Sequence, residues 1–157
     1  MTGRKVGESA VNDHIYEVFP NDLNAHNTVF GGAIMLEVDR LAGAVARRHS
    51  GEVCVTLSLD SLRFLEPAKS GEVLVFKVAV NRVWNTSMEI GVKVFAENIY
   101  NDFVRHVVSA YLTFVAIDSH NRPIKIRPVI PETKSENRRF QEADQRRQQR
   151  FKNNPRP

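Results

Sequence analysis

Most of the chain alternates between apolar and polar positions with a period of two, which is the pattern of half-buried β-strands. Four segments follow it, at residues 53–59, 72–83, 87–97 and 104–117, and residues 14–19 are a candidate fifth strand. In the first segment the alternation predicts one apolar face, made of Val53, Val55, Leu57 and Leu59. Two polar connections, Asn85-Thr86 and residues 98–102, have the composition of hairpin turns, so the strands they join are expected to be antiparallel.

One segment has a helical pattern instead. Residues 33–49 contain good helix formers and no proline; Gly31-Gly32 precede them, and Ser50-Gly51 end them after three basic residues that suit the helix dipole. A helical wheel gives an apolar stripe made of Ile34, Val38, Leu41 and Val45. Asp39 lies away from the charges of Glu37 and Arg40, among the small residues Ala42, Gly43 and Ala46.

One long helix followed by about four antiparallel strands indicates an α+β fold rather than a βαβ repeat. Because apolar and small residues cover most of the helix, a curved antiparallel sheet that wraps around it satisfies the pattern. We expect this domain to span residues 1–131, ending in an extended strap at 119–131 that contains three prolines. Residues 132–157 are rich in Glu, Gln and Arg and predict a basic C-terminal helix or tail, with Phe140 as its contact to the domain.

Composition and charge narrow the class of protein. With 157 residues and a single cysteine, Cys54, the chain is expected to form one domain without an intramolecular disulfide. No apolar run approaches the roughly 20 residues of a membrane-spanning helix. The polar N-terminus predicts no secretory signal, so the expected location is the cytoplasm. The net charge of +4 lies entirely in residues 132–157, and the neutral remainder predicts neither a nucleic-acid partner nor a membrane partner.

Two features of the helix carry candidate chemistry. A carboxylate such as Asp39 is costly to bury unless it is paired or used, so it is either a functional group or a charge paired at the rim of the helix. Gly31-Gly32 present bare N–H groups at a helix N-terminus, which form either an oxyanion site or only a tight entry turn. No histidines have metal-ligand spacing, and no serine-hydrolase or nucleotide-binding motif is present. We expect no metal and no cofactor.

Several motifs occur in the order found in one family. They are Asn21-Asp22-x-Asn24, Phe30-Gly31-Gly32, Asp39, Ala46-Arg47-Arg48-His49, Val55-Thr56-x-Ser58-x-Asp60-Ser61, Thr86-Ser87-Met88-Glu89 and Thr113-Phe114-Val115-Ala116-Ile117-Asp118. Together they resemble the acyl-CoA thioesterases of the hotdog fold over residues 18–131. The closer match is the cytosolic acyl-CoA hydrolase branch, with brain acyl-CoA hydrolase and the bacterial YciA-type enzymes.

The resemblance implies a thioester hydrolase that converts acyl-CoA to a free carboxylic acid and CoA, where CoA is part of the substrate and product. It implies that Asp39 acts as general base or nucleophile and that the N–H of Gly32 polarises the thioester carbonyl. Asn27 or Thr28 would assist from the loop before the partner subunit's helix. The implied substrate contacts are Asn24, Phe30, Gly31, Thr56, Ser58, Thr86 and Ser87. The implied assembly is a homodimer, joined further into a hexamer as a trimer of dimers.

Two other functions stay open at this point. One is a hotdog dehydratase, for which His26 is the nearby histidine, and the other is a non-catalytic acyl-CoA-binding regulatory protein. The chain departs from the family at Trp84-Asn85, where Gly-Arg is usual, so an arginine expected near the CoA phosphate is missing. The C-terminal segment either covers part of the domain or supplies replacements from Arg138, Arg139, Arg146 and Arg147.

Overall fold

The structure is a computed structural model and describes residues 1–153. A sheet and one long helix form the domain, and a second long helix follows near the C-terminus. In chain order the elements are β1 (Arg4–Lys5), β2 (Val11–Glu17), α1 (Gly31–Ser50), β3 (Val53–Phe64), β4 (Val73–Val83), β5 (Ser87–Asn98), β6 (Phe103–Ile117), β7 (Val129–Ile130) and α2 (Lys134–Asn153). Two short 3₁₀ helices, Val6–Glu8 and Pro20–Asp22, flank β2.

Strands β2 to β6 form one antiparallel sheet in the order β2-β4-β5-β6-β3. It contains each strand predicted from the period-two pattern, and the candidate fifth strand near residues 14–19 is β2 at one edge. The short strands β1 and β7 pair in parallel and tie the beginning of the chain to the end of the strap. The predicted α+β fold, one long helix with an antiparallel sheet, is confirmed.

Helix α1 packs on one face of this sheet, and their contact is the core. Val38, Ala42, Val45 and Ala46 are fully buried there, against sheet residues that include Phe76, Ile90 and Phe114. The helix ends where the sequence predicts. Gly51 has a φ of 79°, in the left-handed region that favours glycine, and its N–H donates to the carbonyl oxygen of Arg47 at 2.8 Å.

Strand β3 does not alternate regularly, because its pairing with β6 shifts between Thr56 and Ser58 and again between Leu59 and Ser61. Such shifts are β-bulges, in which an extra residue changes the face on which the following side chains lie. Val55 pairs with Val115 and Leu59 pairs with Leu112. Since positions three apart on β6 lie on opposite faces, the single apolar face predicted for Val53, Val55, Leu57 and Leu59 is wrong.

Helix α2 lies on the sheet face opposite α1. Glu89 of β5 alternates with the core residues Met88 and Ile90, so it points away from α1, and Arg146 of α2 reaches it at 2.7 Å. Phe140 packs against the edge of the core as the sequence predicts, and Ala143, which the pattern did not single out, is fully buried. The end of the predicted basic segment, residues 154–157, lies outside the described residues. The boundary proposed at residue 131 stays a prediction.

Within residues 1–153, neither long helix combines the length and the apolar content that crossing a membrane requires.

Candidate active site

The carboxylate of Asp39 faces strand β3 across an open cleft. Its Oδ1 accepts a hydrogen bond of 2.8 Å from the Thr56 hydroxyl. The cleft has a volume of about 210 Å³, and its other walls are the apolar residues Met35, Val38, Leu59, Leu62 and Leu112. Asp39 itself is exposed in the single chain. The reason is that β3 is the edge strand of the sheet, so within residues 1–153 no further strand closes the cleft.

The N-terminus of α1 presents amide groups that have no acceptor within the helix itself. Phe30, the residue before the helix, provides no side-chain cap, and its carbonyl oxygen accepts from the N–H of Ala33 and of Ile34. The N–H groups of Gly31 and Gly32 are the first two of the helix and therefore have no acceptor within it. Among the described residues, nothing lies within 4 Å of the place where a Cβ of Gly32 would be. Amide groups at a helix N-terminus favour the binding of an anion.

A second cavity of about 420 Å³ lies beside this helix end. Its lining residues include Val29, Gly31, Ile34, Phe64, Pro67 and Ala68. A Cβ at Gly31 would lie 3.0 Å from the ring of Phe64, so glycine allows the ring to close over the start of the helix. Phe30 is half exposed at the same end.

The side chain of Asn24 organises the loop before α1. Its Oδ1 accepts from the N–H of His26 at 2.9 Å and of Thr28 at 3.2 Å, and its Nδ2 donates to the Thr28 hydroxyl at 2.8 Å. Asn27 has a φ of 56° and sits at the tip of this turn. The structure therefore brings Asn24, Asn27 and Thr28 together in one loop, with Asn24 as its centre.

Other residues predicted for the site lie apart from Asp39. The Ser58 hydroxyl donates to Asp60 at 2.6 Å, and Asp60 also accepts from Thr113 and from Arg150 of α2, on the face opposite Asp39. Thr86 ends the turn between β4 and β5, and Ser87 begins β5. Their carbonyl oxygens accept from the N–H of Ala116 and of Trp84, respectively.

Three of the four α2 arginines named from the sequence, Arg138, Arg146 and Arg147, contact other side chains of the protein. Arg138 pairs with Glu142 of the same helix, and Arg146 pairs with Glu89. The guanidinium of Arg147 lies 4.3 Å from the ring centre of Trp84, whose indole N–H donates to Asp144. Trp84, at the departure from the family pattern, thus contributes to the packing of α2.

Sequence reasoning missed two buried carboxylates on the strands. Glu72 is 6% exposed and binds Arg105, and Glu89 is fully buried beneath Arg146. Burial alone raises the pKa of Glu72, but hydrogen bonds from Arg105 and from the N–H of Lys69 outweigh it and lower that pKa. A polar residue at a strand end or in an alternating strand normally faces solvent. The sequence pattern therefore did not predict that Glu72 or Glu89 is buried.

Comparison with known proteins places this geometry in a family. The sequence model of the thioesterase superfamily matches residues 26–101. A relative from Bacillus subtilis, named uncharacterized acyl-CoA thioester hydrolase YkhA, is 40% identical over 119 residues, which are 76% of this chain and 69% of the relative. A solved structure, called an apo-hexameric acyl-CoA thioesterase, superposes with a TM-score of 0.95 at 30% identity and covers 99% of both chains.

The acyl-CoA hydrolase of Staphylococcus aureus, solved in complex with butyryl-CoA, CoA and CoA disulfide, superposes with a TM-score of 0.90 at 34% identity. The alignment covers 96% of this chain and 91% of that one. Three further structures of that enzyme carry alanine in place of an asparagine, an aspartate and a threonine. These three positions have the same spacing as Asn24, Asp39 and Thr56 here. With this identity, this coverage and the shared fold, the chain belongs to the thioesterase superfamily, as its motifs indicated.

Proposed function

We propose that the protein hydrolyses acyl-CoA thioesters to a free carboxylic acid and CoA. The observation that carries this proposal is the hydrogen bond of 2.8 Å between Thr56 and Asp39 in an apolar cleft of an acyl-CoA hydrolase fold. The names of the relatives favour hydrolysis over dehydration. His26, the histidine considered for a dehydratase, lies in the loop before α1. Its backbone N–H donates to Oδ1 of Asn24.

Asp39 acts as the general base. Thr56 occupies Oδ1, which orients the carboxylate and leaves Oδ2 to accept a proton from water. The water oxygen then bonds to the thioester carbonyl carbon, the carbon–sulfur bond breaks, and the proton passes to the departing CoA sulfur. The carbonyl oxygen becomes negative during this step, and a helix N-terminal amide such as that of Gly32 stabilises it.

The spacing of these two groups on α1 favours placing them on different protomers. Asp39 follows Gly32 by seven positions on one helix, which is about 10 Å along the axis at 1.5 Å per residue. The Gly32 amide contacts the carbonyl oxygen and Asp39 contacts the attacking water, and with hydrogen bonds of about 3 Å one carbonyl group and its water do not readily span this separation. We therefore infer that the Gly32 amide and the Asn24–Thr28 loop of one protomer act with the partner subunit's Asp39.

The surface of β3 supports such a dimer. Four apolar residues of β3 are between 40% and 60% exposed: Val53, Val55, Leu57 and Leu59. They lie on an edge strand that, among the residues the structure describes, has no neighbouring strand on one side. Exposed apolar edge strands pair with other chains unless they are covered. A two-fold dimer through β3 would cover this edge and close the Asp39 cleft. We propose the hexamer of the structural neighbour as the larger assembly.

The proposed reaction uses only water and groups of this chain, so it needs neither a metal nor a cofactor. Its substrate and product contacts involve CoA and no nucleic acid. The cytosolic branch that the motifs resemble supports a cytoplasmic location.

Release of free thiol from a panel of acyl-CoAs, from acetyl to palmitoyl, tests the proposal. Asp39→Asn keeps the acceptor for Thr56 and removes the base, so we expect a fall in kcat of about 10²-fold to 10⁴-fold with CoA binding retained. Thiol release by the variant at the wild-type rate contradicts the role of Asp39. A wild-type protein that releases no thiol from any member of the panel contradicts the function.

A further inference from the structure

Arg105 of β6 fixes a turn that the proposed reaction does not include. Its guanidinium contacts both oxygens of Glu72, at 2.6 and 3.0 Å, and donates to the carbonyl oxygen of Pro67 at 2.8 Å. Its Nε lies 3.2 Å from the carboxylate of Glu66. One side chain, which is 11% exposed, thus holds both ends of the turn at residues 66–72, which connects β3 to β4.

The turn at residues 66–72 also holds the loop before α1. The N–H of Val29 donates to the carbonyl oxygen of Ala68 at 2.8 Å, and the N–H of Ser70 donates to the carbonyl oxygen of Asn27 at 3.2 Å. Thr28 and Lys69 pair as an isolated β-bridge between these two contacts. The loop with Asn24, Asn27 and Thr28 is therefore bonded along its second half to the turn that Arg105 fixes.

We infer that Arg105 and Glu72 are positioning residues, which set the place of the Asn24–Thr28 loop and of the first amides of α1. The inference rests on the proposed function, since it concerns the loop of that site. Neither residue touches the cleft of Asp39. Each acts through the backbone of residues 66–72.

The chemistry of the pair suits this role. The side chains of Arg105 and Glu72 are 11% and 6% exposed, so solvent screens their attraction little. A planar guanidinium makes two parallel bonds to a carboxylate and still has a donor for Pro67, whereas a lysine ammonium is a point charge without this fork. We therefore expect that lysine at position 105 supplies the charge without fixing the turn.

Hydrogen exchange tests the inference without any substrate. In Arg105→Lys and Glu72→Gln we expect the amides of Val29 and Ser70 to exchange at least about tenfold faster, while amides at the centre of α1 keep the wild-type rate. The matched control is Arg82→Gln, which breaks the ion pair of Arg82 with Asp144 on the α2 side of the sheet. The control should leave both amides protected.

Kinetics with an acyl-CoA substrate give the second readout. Because a misplaced loop affects the reacting geometry, we expect kcat to fall about 10-fold to 100-fold in both variants, with KM changed by less than about threefold. Arg82→Gln should keep the wild-type kcat. The inference is wrong if the two variants fold and their Val29 and Ser70 amides stay protected. It is also wrong if the two variants fold and keep the wild-type kcat. An inactive wild type would refute the proposed function instead, and the exchange result would still decide the role of the pair in fixing the loop.

Discussion

Thr56 and Ser58 are two positions apart in strand β3, and their hydroxyl groups lie on opposite faces of the sheet. Thr56 donates to Asp39 beside α1, whereas Ser58 donates to Asp60 beneath α2. The cause is the bulge between them, because Thr56 pairs with Phe114 and Ser58 pairs with the adjacent Thr113. The Thr56 hydroxyl is therefore part of the candidate active site, whereas the Ser58 hydroxyl is part of the contact region of α2.

Replacing Thr56 should lower activity, and replacing Ser58 should not. Thr56→Val removes a hydrogen bond to a charged group, which contributes about 1.5 to 3 kcal/mol, so we expect kcat/KM to fall roughly 10-fold to 100-fold. Thr56→Ser should restore most of it. Ser58→Ala should stay within about twofold of wild type. Acyl-CoA hydrolysis by the three variants measures this, and a larger loss in Ser58→Ala than in Thr56→Val would reverse the two placements.

Breaking the ion pair between Glu89 and Arg146 should destabilise the fold. Glu89 is fully buried, and it also accepts from the Asn81 amide at 2.9 Å. Arg146→Met leaves this carboxylate without its main counter-charge, so we expect a loss of about 3 kcal/mol in the free energy of unfolding. Glu89→Gln combined with Arg146→Met should recover part of the loss, since the buried charge is then absent. Urea unfolding measures both, and equal stability of the single and double variants would contradict the argument.

His49 should make stability depend on pH near neutrality. Burial is the main cause that lowers the pKa of His49 below its usual value, and the charges of Arg4 and Arg127 add to it. As the pH falls through about 6.5, the unfolded chain binds a proton that the folded protein does not. Stability therefore decreases with falling pH, by at most about 1.4 kcal/mol per unit, until the folded pKa is reached.

Unfolding by urea at several pH values between 5 and 8 measures this slope. His49→Gln should flatten it. The exposed His26 serves as the control, because His26→Gln leaves the buried imidazole in place and should keep the wild-type slope. Parallel pH curves for His49→Gln and wild type would show that another group causes the dependence.

A charge on the exposed edge of β3 should separate the protomers. Leu57 is 60% exposed in one chain and lies in the apolar stretch proposed to meet a second copy. Leu57→Arg would bury an unpaired charge there, which costs about 3 kcal/mol and weakens association roughly 100-fold. Sedimentation should then give monomers, with loss of acyl-CoA hydrolysis because each cleft lacks its partner. Tyr100→Arg, on a hairpin tip, is the control, and a dimeric, active Leu57→Arg protein would argue against pairing through β3.

Local patterns were sufficient to predict the long helix and the strands, because side-chain periodicity follows directly from backbone geometry. The bulges of β3 left no such trace, since one extra residue such as Leu57 fits the alternation on either side. The pairs of Arg105 with Glu72 and of Arg146 with Glu89 join residues 33 and 57 positions apart, so only the folded chain brings them together. The exposure of Asp39 likewise follows from the position of β3 at the sheet edge, which spacing along the chain does not reveal.

The distance along the chain between Glu89 and Arg146 also sets an order for folding during synthesis. Strand β5 leaves the ribosome well before α2, and its pairing with β4 and β6 needs only residues already made. Until α2 emerges, Arg146 and Arg150, which pair with Glu89 in the folded structure, are absent, and the sheet face that α2 will cover stays open to water. The docking of α2 therefore follows formation of the sheet, and we expect nascent chains that stop short of α2 to be less stable than chains that contain it.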